Sequence, residues 1–133
     1  MEEINLIITI DDNEDLNKLT CQLLSLMGCE ILAASNGQEG IEKARLNKAK
    51  VILCDIGMPQ MNGYEVAEHI RKDKELKDTY LIAISGYSRP ENIEKSIDSG
   101  FDEHLSKPIN YEDLKEKLNA IYSGTISSNY NKP

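Results

Sequence analysis

Acidic residues stand directly after two short apolar runs of this 133-residue chain. Asp11 and Asp12 follow the run at 6–10, and Asp55 follows the run at 51–54. Such β-rich runs are typical of buried parallel strands, and a carboxylate marks the point where a strand reaches the edge of its sheet. Carboxylate oxygens suit a hard divalent cation such as Mg²⁺, which often shares its coordination sphere with a phosphate. If the two strands are neighbours, the acids predict a metal site with phosphoryl chemistry.

A lysine and a serine stand at equivalent places further along the chain. Lys107 precedes Pro108 after a short predicted strand, and Ser85 ends another strand. Because two carboxylates about 4 Å apart repel by about 4 kcal/mol at an effective dielectric near 20, an acidic cluster requires positive charge nearby. The Lys107 ammonium could supply that charge, and the Ser85 hydroxyl could donate to a phosphate oxygen.

Each of these residues also has a simpler interpretation. The paired acids could cap a helix, Ser85 and Gly86 could form a turn, and Lys107 with Pro108 could close a strand. Taken together, however, the residues all fall at carboxyl ends of predicted parallel strands, where chance would scatter them over both ends. The shared position favours a functional site.

Strand-like and helix-like patterns alternate along the chain. The predicted strands lie at 6–10, 31–34, 51–54, 80–84 and near 104–105, with apolar stripes at helical spacing between and after them. This alternation predicts an α/β fold, namely a flavodoxin-like, doubly wound (βα)5 domain. Its five-stranded parallel sheet has the order 2-1-3-4-5, in which ligands bind at the carboxyl ends of strands one and three.

Composition excludes several classes of function. A formal net charge of -8 argues against direct binding to nucleic acid, which relies on clusters of Lys and Arg. We find no apolar run near the roughly 20 residues that span a bilayer and no signal-peptide pattern, and we expect a cytoplasmic protein. Cys21, Cys29 and Cys54 lack metal-ligand spacing and are expected to be reduced thiols. We assign 1–122 to one domain and 123–133 to a polar, flexible tail.

Several short motifs together resemble the signature of response-regulator receiver domains of two-component signal transduction. They are Ile10-Asp11-Asp12-Asn13, Asp55-Ile56-Gly57-Met58-Pro59 with Asn62-Gly63-Tyr64, Ser85-Gly86 and Lys107-Pro108. Each piece is a weak motif, but their order and placement are highly specific in combination. The resemblance covers roughly 4–122. Further segments are similar to receivers of hybrid histidine kinases, which favours a phosphorelay: Gly86-Tyr87, Gly100-Phe101-Asp102 and His104-Leu105.

The resemblance implies a phosphoacceptor and a metal site. Asp55 would take a phosphoryl group from a histidine kinase or a histidine phosphotransfer protein, without turnover of an external substrate. Asp12 and Asp55 would bind Mg²⁺ directly, with Mn²⁺ as an alternative ion. Asp11 would hold the ion mainly through water, and the Gly57 backbone carbonyl would complete the protein ligands.

The resemblance also implies how the phosphoryl group is sensed. Lys107 would neutralise its oxygens and Ser85 would hydrogen-bond to one of them, while the Lys107–Pro108 peptide bond is expected to be cis. In the family an aromatic residue three places before the lysine responds to this change and reshapes the face from helix 4 to helix 5, where a downstream protein binds. His104 occupies that position, and it is either a weakly coupled switch or a plain surface histidine.

Three alternatives stay open at the level of sequence. A hydrolase with an aspartyl-phosphate intermediate would use similar groups, but the alternating Asp-x-Asp motif and a cap domain are missing. A flavodoxin-like electron carrier would present hydroxyls rather than two acids after the first strand. A receiver-shaped interaction module that does not accept phosphate is the third alternative.

Overall fold

Five strands and five helices alternate in the computed structural model, which describes residues 6–128 and residue 130. In chain order they are β1 (Leu6–Ile10), α1 (Glu14–Leu26), β2 (Glu30–Ala34), α2 (Gly37–Asn47), β3 (Val51–Asp55), α3 (Gly63–Lys72), β4 (Tyr80–Ser85), α4 (Pro90–Ser99), β5 (Glu103–Ser106) and α5 (Tyr111–Tyr122). All strands pair in parallel, in the order β2-β1-β3-β4-β5. The predicted fold class and strand order are confirmed.

The sheet separates two apolar cores because successive side chains of a strand point to opposite faces. Ile8 and Ile52 face a core that also contains residues of α2 and α3, whereas Ile7 and Val51 face residues of α1 and α5. Every residue of β3 and β4 is buried, as expected for strands covered on both faces. The edge strand β2 is only partly buried.

Asparagine caps place two helices directly behind the acidic residues. The Asn13 side chain accepts a hydrogen bond from the Leu16 N–H at the start of α1, and that of Asn62 accepts one from the Glu65 N–H at the start of α3. Both helices follow the carboxyl ends of their strands, so their positive ends lie at the edge of the sheet that carries Asp55.

The end of α5 at Tyr122 coincides with the predicted end of the domain. Residues 1–5, 129 and 131–133 of the predicted domain and tail lie outside the described residues, and flexibility of the tail stays a prediction. The part of the tail that is described contacts the domain, with Ile126 packed against an apolar core and Ser128 buried. Within residues 6–128, we find no helix long and apolar enough to cross a membrane.

Gly63 allows α3 to begin close to the backbone of β3. A Cβ atom at this position would lie 2.8 Å from the Asp55 carbonyl oxygen and 2.8 Å from the Ile56 Cα atom. Since backbone atoms cannot yield as a flexible side chain does, we expect Gly63→Ala to lower the free energy of unfolding by about 1–3 kcal/mol. Denaturant unfolding would measure the loss. Gly57→Ala is the matched control, because its Cβ would meet no atom within 4 Å, and equal stability of both variants would contradict the prediction.

Candidate functional site

The predicted acidic residues come together at one edge of the sheet. Asp11, Asp12 and Asp55 each offer a carboxylate oxygen, and these oxygens lie within 4.8 Å of one another. They converge because β1 pairs directly with β3. Asp55 is buried, Asp11 is half-buried and Asp12 is exposed. One carboxylate therefore sits inside the protein while the cluster as a whole remains open to solvent.

Lys107 supplies the positive charge that the cluster requires. Its ammonium nitrogen lies 3.0 Å from Asp55 Oδ1 and 3.9 Å from Asp11 Oδ2. The Lys107 backbone N–H donates to the Ser85 carbonyl oxygen at 2.8 Å, which ties the lysine to the end of β4. The Lys107–Pro108 peptide bond is cis.

The loop after β3 is fixed by two backbone hydrogen bonds of Ile56, the residue that follows Asp55. The Ile56 N–H donates to the Ile84 carbonyl oxygen at 3.1 Å, and the Ile56 carbonyl oxygen accepts from the Gly63 N–H at 3.0 Å. Gly57 follows and is exposed. These contacts fix the backbone directly after Asp55, while Gly57 stays accessible from solvent.

Ser85 lies beside Asp55 across the β3–β4 pair. Asp55 is paired with Ile84, and Ser85 is the next residue of β4. The Ser85 side chain is buried, and its Oγ accepts a hydrogen bond of 2.9 Å from the Tyr87 N–H. Because a hydroxyl that accepts a hydrogen bond can still donate its own proton, Ser85 can hydrogen-bond to a new acceptor near Asp55.

Burial raises the pKa of the Asp11 carboxyl. A hydrogen bond from the Asn13 N–H opposes the rise, the charge of Asp55 adds to it, and Lys107 again opposes it. The raised pKa means that the folded protein holds the ionised Asp11 at a free-energy cost. A cation bound between the acids would remove that cost. Mg²⁺ prefers oxygen ligands and is usually held by one or two carboxylates and water, so the residues present fit the implied metal.

His104 is half-buried, and both of its ring nitrogens contact serine hydroxyl groups. Its Nδ1 lies 2.8 Å from Ser96 Oγ in α4, and its Nε2 lies 3.1 Å from Ser88 Oγ in the loop after β4. The Ser106 hydroxyl donates to Ser88 Oγ at 2.7 Å. Burial lowers the pKa of the imidazole, partly opposed by a hydrogen bond with the Tyr87 backbone. The position thus joins β5, the β4–α4 loop and α4.

The sequence did not predict the two serine partners of His104. Ser88 and Ser96 stand in a loop and in a weakly apolar helix, and serines are common in both contexts. Ser96 is fully buried in the structure. The sequence does not show this burial, because the apolar pattern of α4 is too weak to indicate which face of the helix is buried. The hydroxyl cluster is a finding of the structure.

An open cavity of about 380 Å³ adjoins the acidic cluster on the side of α1 and α5. It reaches Asp55 and Lys107 at one end, and most of its wall is apolar. Leu19 contributes to the wall and is 49% exposed. A partner surface could therefore approach Asp55 from this side.

Comparison with known proteins agrees with the fold and the site. The response regulator receiver domain family matches residues 7–119. The chain is 31% identical over 119 residues to protein PilH of Pseudomonas aeruginosa, with 89% of this chain and 98% of PilH covered. It is 34% identical over 128 residues to hybrid signal transduction histidine kinase G of Dictyostelium discoideum, covering 94% of this chain but only 4% of the kinase. The chain thus spans a small fraction of that relative.

A solved structure shows the same architecture. Chemotaxis protein CheY4 of Vibrio cholerae superposes with a TM-score of 0.83 at 26% sequence identity, over 90% of this chain and 99% of CheY4. The parallel sheet and the acidic cluster at its carboxyl edge define a receiver-type signalling module. The chain belongs to the response regulator receiver domain family of two-component systems.

The raised pKa of Asp11 predicts how its charge affects stability. The Asp11 carboxyl binds its proton more tightly in the folded than in the unfolded state, so its ionisation destabilises the fold once the pH exceeds its ordinary pKa of 3.8. We expect Asp11→Asn to raise the free energy of unfolding by about 0.5–1 kcal/mol at pH 7 without divalent metal. The gain should vanish near pH 3, where both side chains are neutral.

Denaturant unfolding at both pH values measures this difference. Glu14→Gln removes the same charge from an exposed position in the first turn of α1 and should bring no gain. A stability gain of Asp11→Asn that persists at pH 3, or its absence at pH 7, would contradict the electrostatic explanation.

Proposed function

We propose that Asp55 accepts a phosphoryl group from a phosphohistidine of a histidine kinase or a histidine phosphotransfer protein. The observation that carries this proposal is the contact of 3.0 Å between the Lys107 ammonium and Asp55 Oδ1, inside a cluster of three carboxylates. A buried carboxylate beside a lysine and two further acids suits an aspartate that attacks phosphorus and whose phosphoryl group then needs charge neutralisation.

The chemistry follows from the positions of the groups. An Asp55 carboxylate oxygen attacks phosphorus, and a P–O bond forms while the P–N bond to the donor imidazole breaks, leaving the electron pair on that nitrogen. Lys107 neutralises the phosphoryl oxygens, and Ser85 donates its hydroxyl proton to one of them. Asp11, Asp12, Asp55 and the Gly57 carbonyl would hold Mg²⁺, or Mn²⁺ in its place, which neutralises phosphoryl charge when bound. An ionised aspartate needs no general base.

The donor would approach through the cavity between α1 and α5, where apolar side chains adjoin Asp55. The likeness to the hybrid histidine kinase and to PilH supports one of two roles for this chain. It would be either a member of a phosphorelay or a small regulator that acts by protein contact. Three free thiols suit a reducing compartment, and we place the protein in the cytoplasm. We propose no direct contact with nucleic acid and no turnover of an external substrate.

Phosphorylation of Asp55 can be tested with a small-molecule donor. Incubation with acetyl phosphate and Mg²⁺ should add one phosphoryl group, detected by intact-protein mass, and peptide mapping should place it on Asp55. Asp55→Asn should abolish the label, because an amide is a poor nucleophile, and Lys107→Ala should slow labelling by a factor of about 100 or more.

The matched control is Asp98→Asn, which makes the same change on exposed α4 and should be labelled like the wild type. Chelation of Mg²⁺ should suppress labelling in both proteins. Undiminished labelling of Asp55→Asn would overturn the assignment of the phosphoacceptor.

We further propose that the hydroxyl cluster around His104 carries the change at Ser85 to α4. In the unmodified protein the Tyr87 N–H donates to Ser85 Oγ. When Ser85 turns towards the phosphoryl group, Tyr87 must move with it or lose this hydrogen bond. The next residue of the loop, Ser88, contacts His104, which in turn contacts Ser96 of α4. A chain of hydrogen bonds thus replaces an aromatic side chain and links the site to the face from α4 to α5.

This role of His104 predicts a loss of response in α4. Beryllofluoride with Mg²⁺, a phosphoryl mimic, should shift the amide NMR signals of residues 90–99 in the wild type. His104→Ala removes both serine contacts, which are worth about 1–3 kcal/mol together, and should lose most of these shifts while Asp55 still reacts. His69→Ala is the control, because His69 is exposed on α3. Equal α4 shifts in both variants would remove His104 from the signal path.

A further inference from the structure

A buried ion pair lies at the opposite end of the sheet from Asp55. Arg71 Nη2 of α3 is 2.9 Å from Asp102 Oδ2, just before β5, and the two side chains are 1% and 3% exposed. Removing two charges from water is costly, and the cost is offset only when further hydrogen bonds satisfy the remaining donors and acceptors. The groups around this pair therefore identify what it holds together.

The Arg71 guanidinium connects α3 with the carboxyl end of α4. Its Nε donates to the Gly100 carbonyl oxygen at 2.8 Å, and its Nη1 donates to the carbonyl oxygens of Lys77 and Thr79, both at 2.7 Å. Gly100 follows α4 directly and has a φ of 121°, and a Cβ there would lie 2.7 Å from Arg71 Cγ. The close approach requires glycine, so the end of α4 rests on Arg71.

The chain reverses direction after α5 and returns towards this ion pair. Gly124 adopts a left-handed φ of 82°, and the N–H groups of Thr125 and Ile126 donate to the Ala120 carbonyl oxygen at 2.9 and 3.2 Å. Ile126 then packs against the apolar core that α5 covers. The segment is thereby directed along the amino ends of the strands rather than away from the domain.

Two side chains of this segment contact the ion pair itself. The Ser128 hydroxyl donates to Asp102 Oδ1 at 2.8 Å and is buried. The centre of the Tyr130 ring lies 4.8 Å from the guanidinium carbon of Arg71, a cation–π distance. The contacts to the carboxyl end of α4 and to the tail thus meet at one guanidinium group.

We propose that Ile126, Ser128 and Tyr130, which we call the strap, hold the carboxyl end of α4 in place and restrain the movement of α4 that follows phosphorylation of Asp55. The coupling to phosphorylation rests on the proposed function; the hold on α4 in the unmodified protein does not. If moving α4 loosens the strap, releasing the strap must favour the moved state of α4 by the same factor, because coupling between two equilibria is reciprocal.

Two features make the strap suited to this role. Tyr130 is 37% exposed, and its contact with Arg71 is a single ring on a cation, so the Tyr130 end of the strap opens at low cost compared with the core. The 2.9 Å contact between Arg71 and Asp102 beneath it does not depend on a residue of the strap. Opening therefore loosens Gly100 without unfolding the domain.

Hydrogen exchange measured by NMR tests the hold on α4. The amides of Gly100 and Phe101 donate to the carbonyl oxygens of Ile97 and Ser96 at the end of the helix. Tyr130→Ala should speed their exchange by about two- to fivefold through loss of the cation–π contact, and Tyr130→Phe, which keeps the ring, should not. Wild-type exchange at Gly100 and Phe101 in Tyr130→Ala would overturn the proposal.

A second arm tests the coupling to the phosphoacceptor site. Beryllofluoride with Mg²⁺ should speed exchange of the Thr125 and Ile126 amides in the wild type, and Asp55→Asn should show no such change. Because the coupling is reciprocal, Tyr130→Ala should bind beryllofluoride more tightly than the wild type. The gain in affinity should equal the factor by which beryllofluoride shifts the wild-type strap towards its open state. Reaction at Asp55 with unchanged Thr125 and Ile126 amides would overturn the coupling alone, whereas no reaction at Asp55 would overturn the proposed function as well.

Discussion

Repulsion among three carboxylates is the constraint on which the rest of this structure depends. Asp11, Asp12 and Asp55 converge because β1 and β3 are neighbours in a parallel sheet, and Asp55 is buried where charge is least well solvated. Lys107 lies 3.0 Å from Asp55, but it brings only one positive charge. Asp11 and Asp55 alone bring two negative charges, and Asp12 adds a third. This excess of negative charge supports the proposed binding of a cation and, with it, of an anionic group that Lys107 and Ser85 can contact.

The same placement explains how a local event could reach a distant surface. Ser85 ends the strand that pairs with β3, and the loop that follows leads through Ser88 and His104 to Ser96 in α4. The carboxyl end of α4, about one turn beyond Ser96, rests on Arg71, where the strap also binds. One helix is thus held at a hydroxyl cluster and at an ion pair, and a shift of a few kcal/mol between two arrangements would suffice to change its populations.

The sequence was sufficient to predict the fold and the residues of the acidic cluster, because strand-end acids and alternating patterns depend on the local chain. The strand order and the receiver family are confirmed. Contacts that depend on tertiary packing were not predictable in this way. The sequence around Ser88 and Ser96 did not indicate that these serines contact His104. The polar composition of the tail likewise did not indicate that Ser128 and Tyr130 contact the ion pair of Asp102 and Arg71. Such contacts join residues far apart in sequence whose types are common on any surface.

The most direct measurement of the central claim is a crystal structure of the protein with beryllofluoride and Mg²⁺. We expect beryllium to be bonded to an Asp55 carboxylate oxygen, with Lys107 Nζ and Ser85 Oγ donating to fluorine atoms and with the metal held by Asp11, Asp12, Asp55 and the Gly57 carbonyl. Beryllofluoride bound at another residue, or an Asp55 carboxylate that stays unmodified in its contact with Lys107 at saturating reagent, would contradict the assignment of Asp55 as the phosphoacceptor.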